Sequence, residues 1–123
     1  MTIVERIKTY IEPDKEIPKP GAKLKFTVKG WGKRRGHEAL IYNIPSHKHP
    51  NRPHQKGVNV LEWEKAYNQL MTEETFSRDW FNKNMPECAN EGGCNFTTIG
   101  GVFLLLKLAE YERGMYRLKT KKE

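Results

Sequence analysis

Residues 59–71, NVLEWEKAYNQLM, carry the clearest periodicity in the chain. Trp63, Ala66, Tyr67, Leu70 and Met71 fall at i, i+3, i+4, i+7 and i+8, which gives a helix one apolar face. Asn59 stands before that pattern and Glu62 three residues on. This is the spacing of a capping box, in which each side chain accepts from the other residue's backbone N–H. The pattern predicts a helix over 60–71.

Downstream, Thr72 or Thr75 is placed to cap a second helix whose buried face is Phe76, Trp80 and Phe81, with Pro86 just past its end. Residues 87–94 contain Gly92-Gly93 and read as a turn. Thr97 or Thr98 is placed to cap a third helix through Lys107, with Ile99, Val102, Phe103 and Leu106 inward. Its Gly100-Gly101 pair is unfavourable in a helix by about 1 kcal/mol per glycine relative to alanine. Such a pair implies close approach by a packed element or a ligand. Residues 109–118 then read as a β-hairpin turning at Arg113-Gly114, and residues 120–123 as a basic tail.

Upstream, Ile3, Ile7 and Ile11 repeat at i, i+4 and i+8, and Thr2 with Glu5 has capping-box spacing, so residues 1–12 predict a short helix stopped by Pro13. Pro18 and Pro20 mark an extended linker. In 23–29, Leu24, Phe26 and Val28 alternate with Lys23, Lys25, Thr27 and Lys29, a half-buried strand. Gly30 to Gly36 read as a glycine-punctuated turn, and 38–44, with Leu40, Tyr42 and Ile44 on one face, as a second strand. Residues 45–57 hold three prolines and little apolar material, and read as a long irregular loop.

Three helices followed by a hairpin with a glycine turn is the layout of a winged helix-turn-helix domain, which residues 60–119 resemble. The resemblance implies DNA contact through Thr97 and Thr98 in the early turn of the third helix and through the wing residues Arg113, Arg117 and Lys119. The expected fold is a single α+β domain over 1–123: an N-terminal helix and linker over 1–20, a basic hairpin and Pro-rich loop over 21–57, and a helical unit with a C-terminal hairpin over 58–119.

The charge pattern bears on function. The chain has 22 Lys and Arg against 15 Asp and Glu, a net charge of +7. Residues 19–56 alone carry +9, whereas 61–91 carry −4. A basic segment beside an acidic helical one fits a polyanion partner or charge-complementary self-association. Lys23, Lys25, Lys29, Lys33, Arg34 and Arg35 on the basic hairpin are candidate phosphate contacts. Trp31, flanked by these cations, suits stacking on a base, or else folding back as a lid on the core. The leading expectation is a non-catalytic nucleic-acid-binding, DNA-binding or regulatory protein that needs no cofactor. The alternatives are an oligomeric protein holding a small anionic molecule in an aromatic, Arg-rimmed pocket, and a small hydrolase or nuclease using the His-rich loop.

That loop holds His47, His49 and His54, with His37 nearby, so metal ligation is one reading and plain surface histidines another. Cys88 and Cys94 have five residues between them, and free thiols, a zinc pair and a disulfide all stay open. No phosphate-binding glycine loop, serine elbow or metalloprotease motif is present. The longest apolar run, Val102 to Leu106, is far short of a membrane span, and residues 1–6 lack a secretory pattern, so a cytoplasmic protein without a membrane partner is expected. The third helix is apolar nearly all round through Leu104 and Leu105. It must be covered either by a second copy, giving a homodimer or larger assembly, or by the N-terminal helix.

Overall fold

A computed structural model describes residues 1–22, 25–45 and 54–119. Among them the chain runs α1 (Ile3–Tyr10), β1 (Glu16–Ile17), β2 (Phe26–Arg34), β3 (His37–Ile44), β4 (His54–Asn59), α2 (Val60–Glu73), β5 (Thr75–Ser77), α3 (Arg78–Asn84), α4 (Pro86–Glu91), α5 (Cys94–Leu105), β6 (Ala109–Glu112) and β7 (Met115–Leu118). This is a mixed α+β fold with two antiparallel sheets, ordered β1-β2-β3-β4 and β5-β7-β6. None of the helices in the described residues is long and apolar enough to cross a membrane.

The two predicted capping boxes are in place, whereas Thr97 and Thr98, expected to cap the third helix, lie inside α5, which starts at Cys94. Thr2 and Glu5 form the capping box of α1, and Asn59 and Glu62 that of α2. Ile3, Ile7 and Ile11 enter the core, together with Trp63, Ala66 and Leu70 of α2. The four-stranded sheet contributes Phe26, Val28, Leu40, Tyr42 and Val58 to the same hydrophobic cluster. Both β2–β3 and β6–β7 turn on an Arg-Gly pair. Arg35 and Gly36 have φ +54° and +81°, and Arg113 and Gly114 have +50° and +80°. Positive φ at both central positions matches the right-handed twist of the flanking strands.

Several boundaries differ from expectation. The stretch Gly30–Gly32 is strand rather than turn, because Lys29 is the extra residue of a bulge between the pairs Val28↔Tyr42 and Gly30↔Ile41. β4 lies in the segment read as loop. It has no apolar alternation and exists through its ladder to β3, from Ala39↔Asn59 to Ile44↔His54. The linker after Pro13 includes β1, which pairs with β2 and buries Ile17. Phe76 belongs to β5, not to a helix. Glu74 leaves α2 at φ +64°, Phe76 pairs with Tyr116, and Ser77 caps α3. Four helices, α2 to α5, therefore stand where three were expected, with α4 occupying the expected turn at 87–94.

Phe76 is the centre of an aromatic cluster, with the rings of Phe96, Phe103, Trp80, Phe81 and Tyr116 between 5.0 and 6.4 Å away. α5 is buried along Asn95–Phe103. Within the chain β7 closes one side of it and β1 another, while Leu104 and Leu105 stay half-buried. A Cβ on Gly100 would lie 2.1 Å from the Tyr116 ring, and one on Gly101 would lie 2.5 Å from Ile17 Cγ2 and 2.6 Å from the Pro18 carbonyl. The close approach implied by the glycine pair is thus made by packed elements.

In an exposed helix, Gly→Ala stabilises by about 1 kcal/mol. Gly100→Ala should reverse that sign. Overpacking of this kind costs about 1–3 kcal/mol, read as a lower urea midpoint with unchanged m-value.

Candidate functional site

The basic hairpin tip does not point to solvent. Arg35, raised on its left-handed turn, donates through Nε and Nη2 to the two carboxylate oxygens of Glu62, each at 2.7 Å, and through Nη1 to Glu91 Oε1 at 2.7 Å. Nη2 also reaches the Gly57 carbonyl at 2.8 Å. Arg34 Nε donates to Glu91 Oε2 at 3.0 Å. Its side chain crosses the outer face of the sheet so closely that a Cβ on Gly57 would lie 2.9 Å from Arg34 Cγ. Glu62 at the same time caps α2, accepting from Asn59 N–H at 2.9 Å. The basic and acidic segments are therefore complementary within one chain, and the charges of Arg34 and Arg35, expected as phosphate contacts, are paired with Glu62 and Glu91.

The titration of these groups follows from their contacts. The Glu62 hydrogen bond holds the Arg35 guanidinium protonated against the cost of burial. Burial pushes the Glu91 carboxyl up, but hydrogen bonds from Arg35, Arg34 and Asn95 outweigh it, and the net shift is down. Cys88 is a buried free thiol whose pKa is raised by burial, which makes it a poor nucleophile at neutral pH. Cys94 is also free. Among the described residues no three His, Cys, Asp or Glu side chains gather to hold a metal. His54 stands exposed on β4, and His37 is exposed at the start of β3. His47 and His49 lie outside the described residues.

The remaining expected contacts separate by burial. Thr98 is fully buried and Thr97 is 9% exposed, so neither is open to a duplex, since α5 is core. Trp31 shares the inward face with its partner Leu40, packs on the core, and has Lys8 Nζ 4.9 Å from its ring centroid. It stays half-buried and also lines a groove with Lys29 and Arg34. Lys25, Lys29, Lys33, Arg113, Arg117 and Lys119 are exposed, with Arg117 paired to Glu112 at 3.2 Å. Lys23 lies outside the described residues.

The structure brings together residues that the sequence did not suggest. On the outward face of the four-stranded sheet, Gly30, Gly32 and Ile41 floor a groove of about 270 Å³. Arg34 forms one wall, and Lys29, whose Nζ donates to Gln55 Oε1 at 3.2 Å, forms the other. Gln55 was missed because β4 has no strand signature. The glycines offered the available signal, since a Cβ on Gly32 would lie 3.0 Å from Ile41. No family model matches the chain, and comparison with curated proteins and with solved structures finds no match.

Because the Glu91 pKa is lower in the folded state, its stabilisation is full above the unfolded value near 4.3 and is lost as pH falls through the folded value. Acid titration of the unfolding free energy should show that loss. Glu91→Gln should flatten it, while costing about 1.5–3 kcal/mol at pH 7 for the charge-assisted hydrogen bonds removed.

Proposed function

We propose that this is a non-catalytic nucleic-acid-binding protein that grips the phosphate backbone rather than reading bases. The observation that carries this reading is exposed Lys29 in the lining of the glycine-floored groove together with Arg34, with exposed Lys25 just ahead of the same strand. Phosphate contacts of this type supply affinity and register without sequence information. The net charge of +7 supports a polyanion partner as well.

Residues 60–118 are, in this reading, a winged-helix-like unit whose wing is the β6–β7 hairpin. Exposed Arg113 at its turn and Lys119 beyond it supply a second set of phosphate contacts. α5 serves as the core of that unit.

Fluorescence anisotropy with labelled duplex and single-stranded 20-mers tests the proposal. Binding is expected in the range of about 10⁻⁶ to 10⁻⁴ M, weakening with salt at a slope near −0.9 per neutralised phosphate on duplex. Lys25→Ala with Lys29→Ala should weaken binding and shallow that slope, whereas Thr97→Ala should leave both unchanged. Absence of binding at low salt, or an unaltered slope in the double variant, would overturn it.

A further inference from the structure

A second concavity, of about 680 Å³, opens between α1 and the C-terminal end of α5. Its volume lies in the range of small-molecule sites. Ile11, Leu105 and Leu106 line it with apolar surface, and Arg6, Lys15 and Lys107 bring three cations to it from three separate stretches of chain. No acidic residue lines it. Several cations elsewhere do have acidic partners: Lys8 meets Glu38, Arg34 and Arg35 meet Glu62 and Glu91, and Lys83 meets Asp79. Arg6, Lys15 and Lys107 make no side-chain hydrogen bond or ion pair among the described residues.

Lys107 sharpens the case. α5 ends with Lys107 N–H donating to Leu104 O at 3.0 Å and Leu108 N–H to Phe103 O at 2.9 Å, the Schellman pattern. The left-handed position of that motif, here φ +60°, belongs by preference to glycine. A lysine there satisfies the helix C-terminus electrostatically. It also adds a cationic side chain to the lining of the concavity, where glycine would leave none. Tyr10, 63% exposed, adds an aromatic ring to the lining.

We infer that this concavity binds a single-chain anionic amphiphile, with the carboxylate or phosphate head on Arg6, Lys15 and Lys107 and the chain along Ile11, Leu105 and Leu106. Three converging cations without counter-charges select an anion, and the apolar surface between them selects an attached hydrocarbon. The site is separate from the sheet face proposed to hold nucleic acid.

Calorimetric titration below the micellar range, with decanoate and decyl phosphate as probes, tests the inference. Decanoate, decyl phosphate or both should bind with one-to-one stoichiometry. Binding by only one identifies the preferred head. Octyl glucoside and decyltrimethylammonium should bind at least tenfold more weakly, and inorganic phosphate likewise. Arg6→Glu should weaken binding at least tenfold. Lys107→Gly should weaken binding while raising the thermal midpoint by relieving the left-handed residue, an outcome that a merely structural lysine would not give. Lys25→Ala with Lys29→Ala should leave amphiphile binding unchanged. Equal affinity for the neutral detergent, equal affinity for free phosphate, or full binding by both Arg6→Glu and Lys107→Gly would overturn the inference. So would the absence of amphiphile binding together with a dimer in sedimentation that Arg6→Glu dissociates, which would assign the concavity to a second copy of the chain.

Discussion

The guanidinium of Arg35 is the point on which the two halves of the molecule meet. It stands on the two-residue turn of the β2–β3 hairpin and binds the first turn of α2 through Glu62, the end of α4 through Glu91, and β4 through the Gly57 carbonyl. Glu62 is shared between this ion pair and the N-cap of α2, and Glu91 between both arginines and Asn95. Sheet tip, helix start and helix end are thus held by one planar group whose fork suits several carboxylate oxygens at once. Lysine at this position would lack that fork.

This arrangement gives the charge pattern of the chain its meaning. The basic segment around the hairpin and the acidic segment 61–91 neutralise one another where they touch, and the cations left over are displaced outward. They lie on the sheet face around Lys25 and Lys29, at the wing turn, and around the concavity beside α1. Close packing depends on small residues at the same places. Gly57 admits the Arg34 side chain, Gly100 the Tyr116 ring, and Gly101 the Ile17 side chain and the Pro18 backbone. Each of these glycines contributes by what it lets approach.

Much of the fold was legible wherever its cause is local. The isoleucine stripe of α1, the tryptophan face of α2, both capping boxes and the Arg113-Gly114 turn all depend on residues within a few positions of each other. The glycine pair of α5 also foretold a close neighbour. β4 and β5 were not legible, because a short or polar strand owes its existence to its partner's ladder rather than to its own side chains. The site was read less completely. Of the hairpin cations, Lys25 and Lys29 are exposed, whereas Arg34 and Arg35 carry the same sequence signature and are paired with Glu62 and Glu91.

The amino-acid sequence by itself determined the elements with internal causes: where α1 and α2 begin, which of their faces are apolar, where Arg113-Gly114 reverses the chain, and that the total charge is positive. The tertiary structure alone decided which charges remain available. An arginine's partner is whichever carboxylate lies within about 3 Å of it, and Glu91 is 56 residues away from Arg35 along the chain. Threonines at a helix start are surface or core according to what packs over them, and in α5 they are core. Spacing along the chain carries no record of such distances, because they are set by how the sheets and helices close around one common hydrophobic cluster.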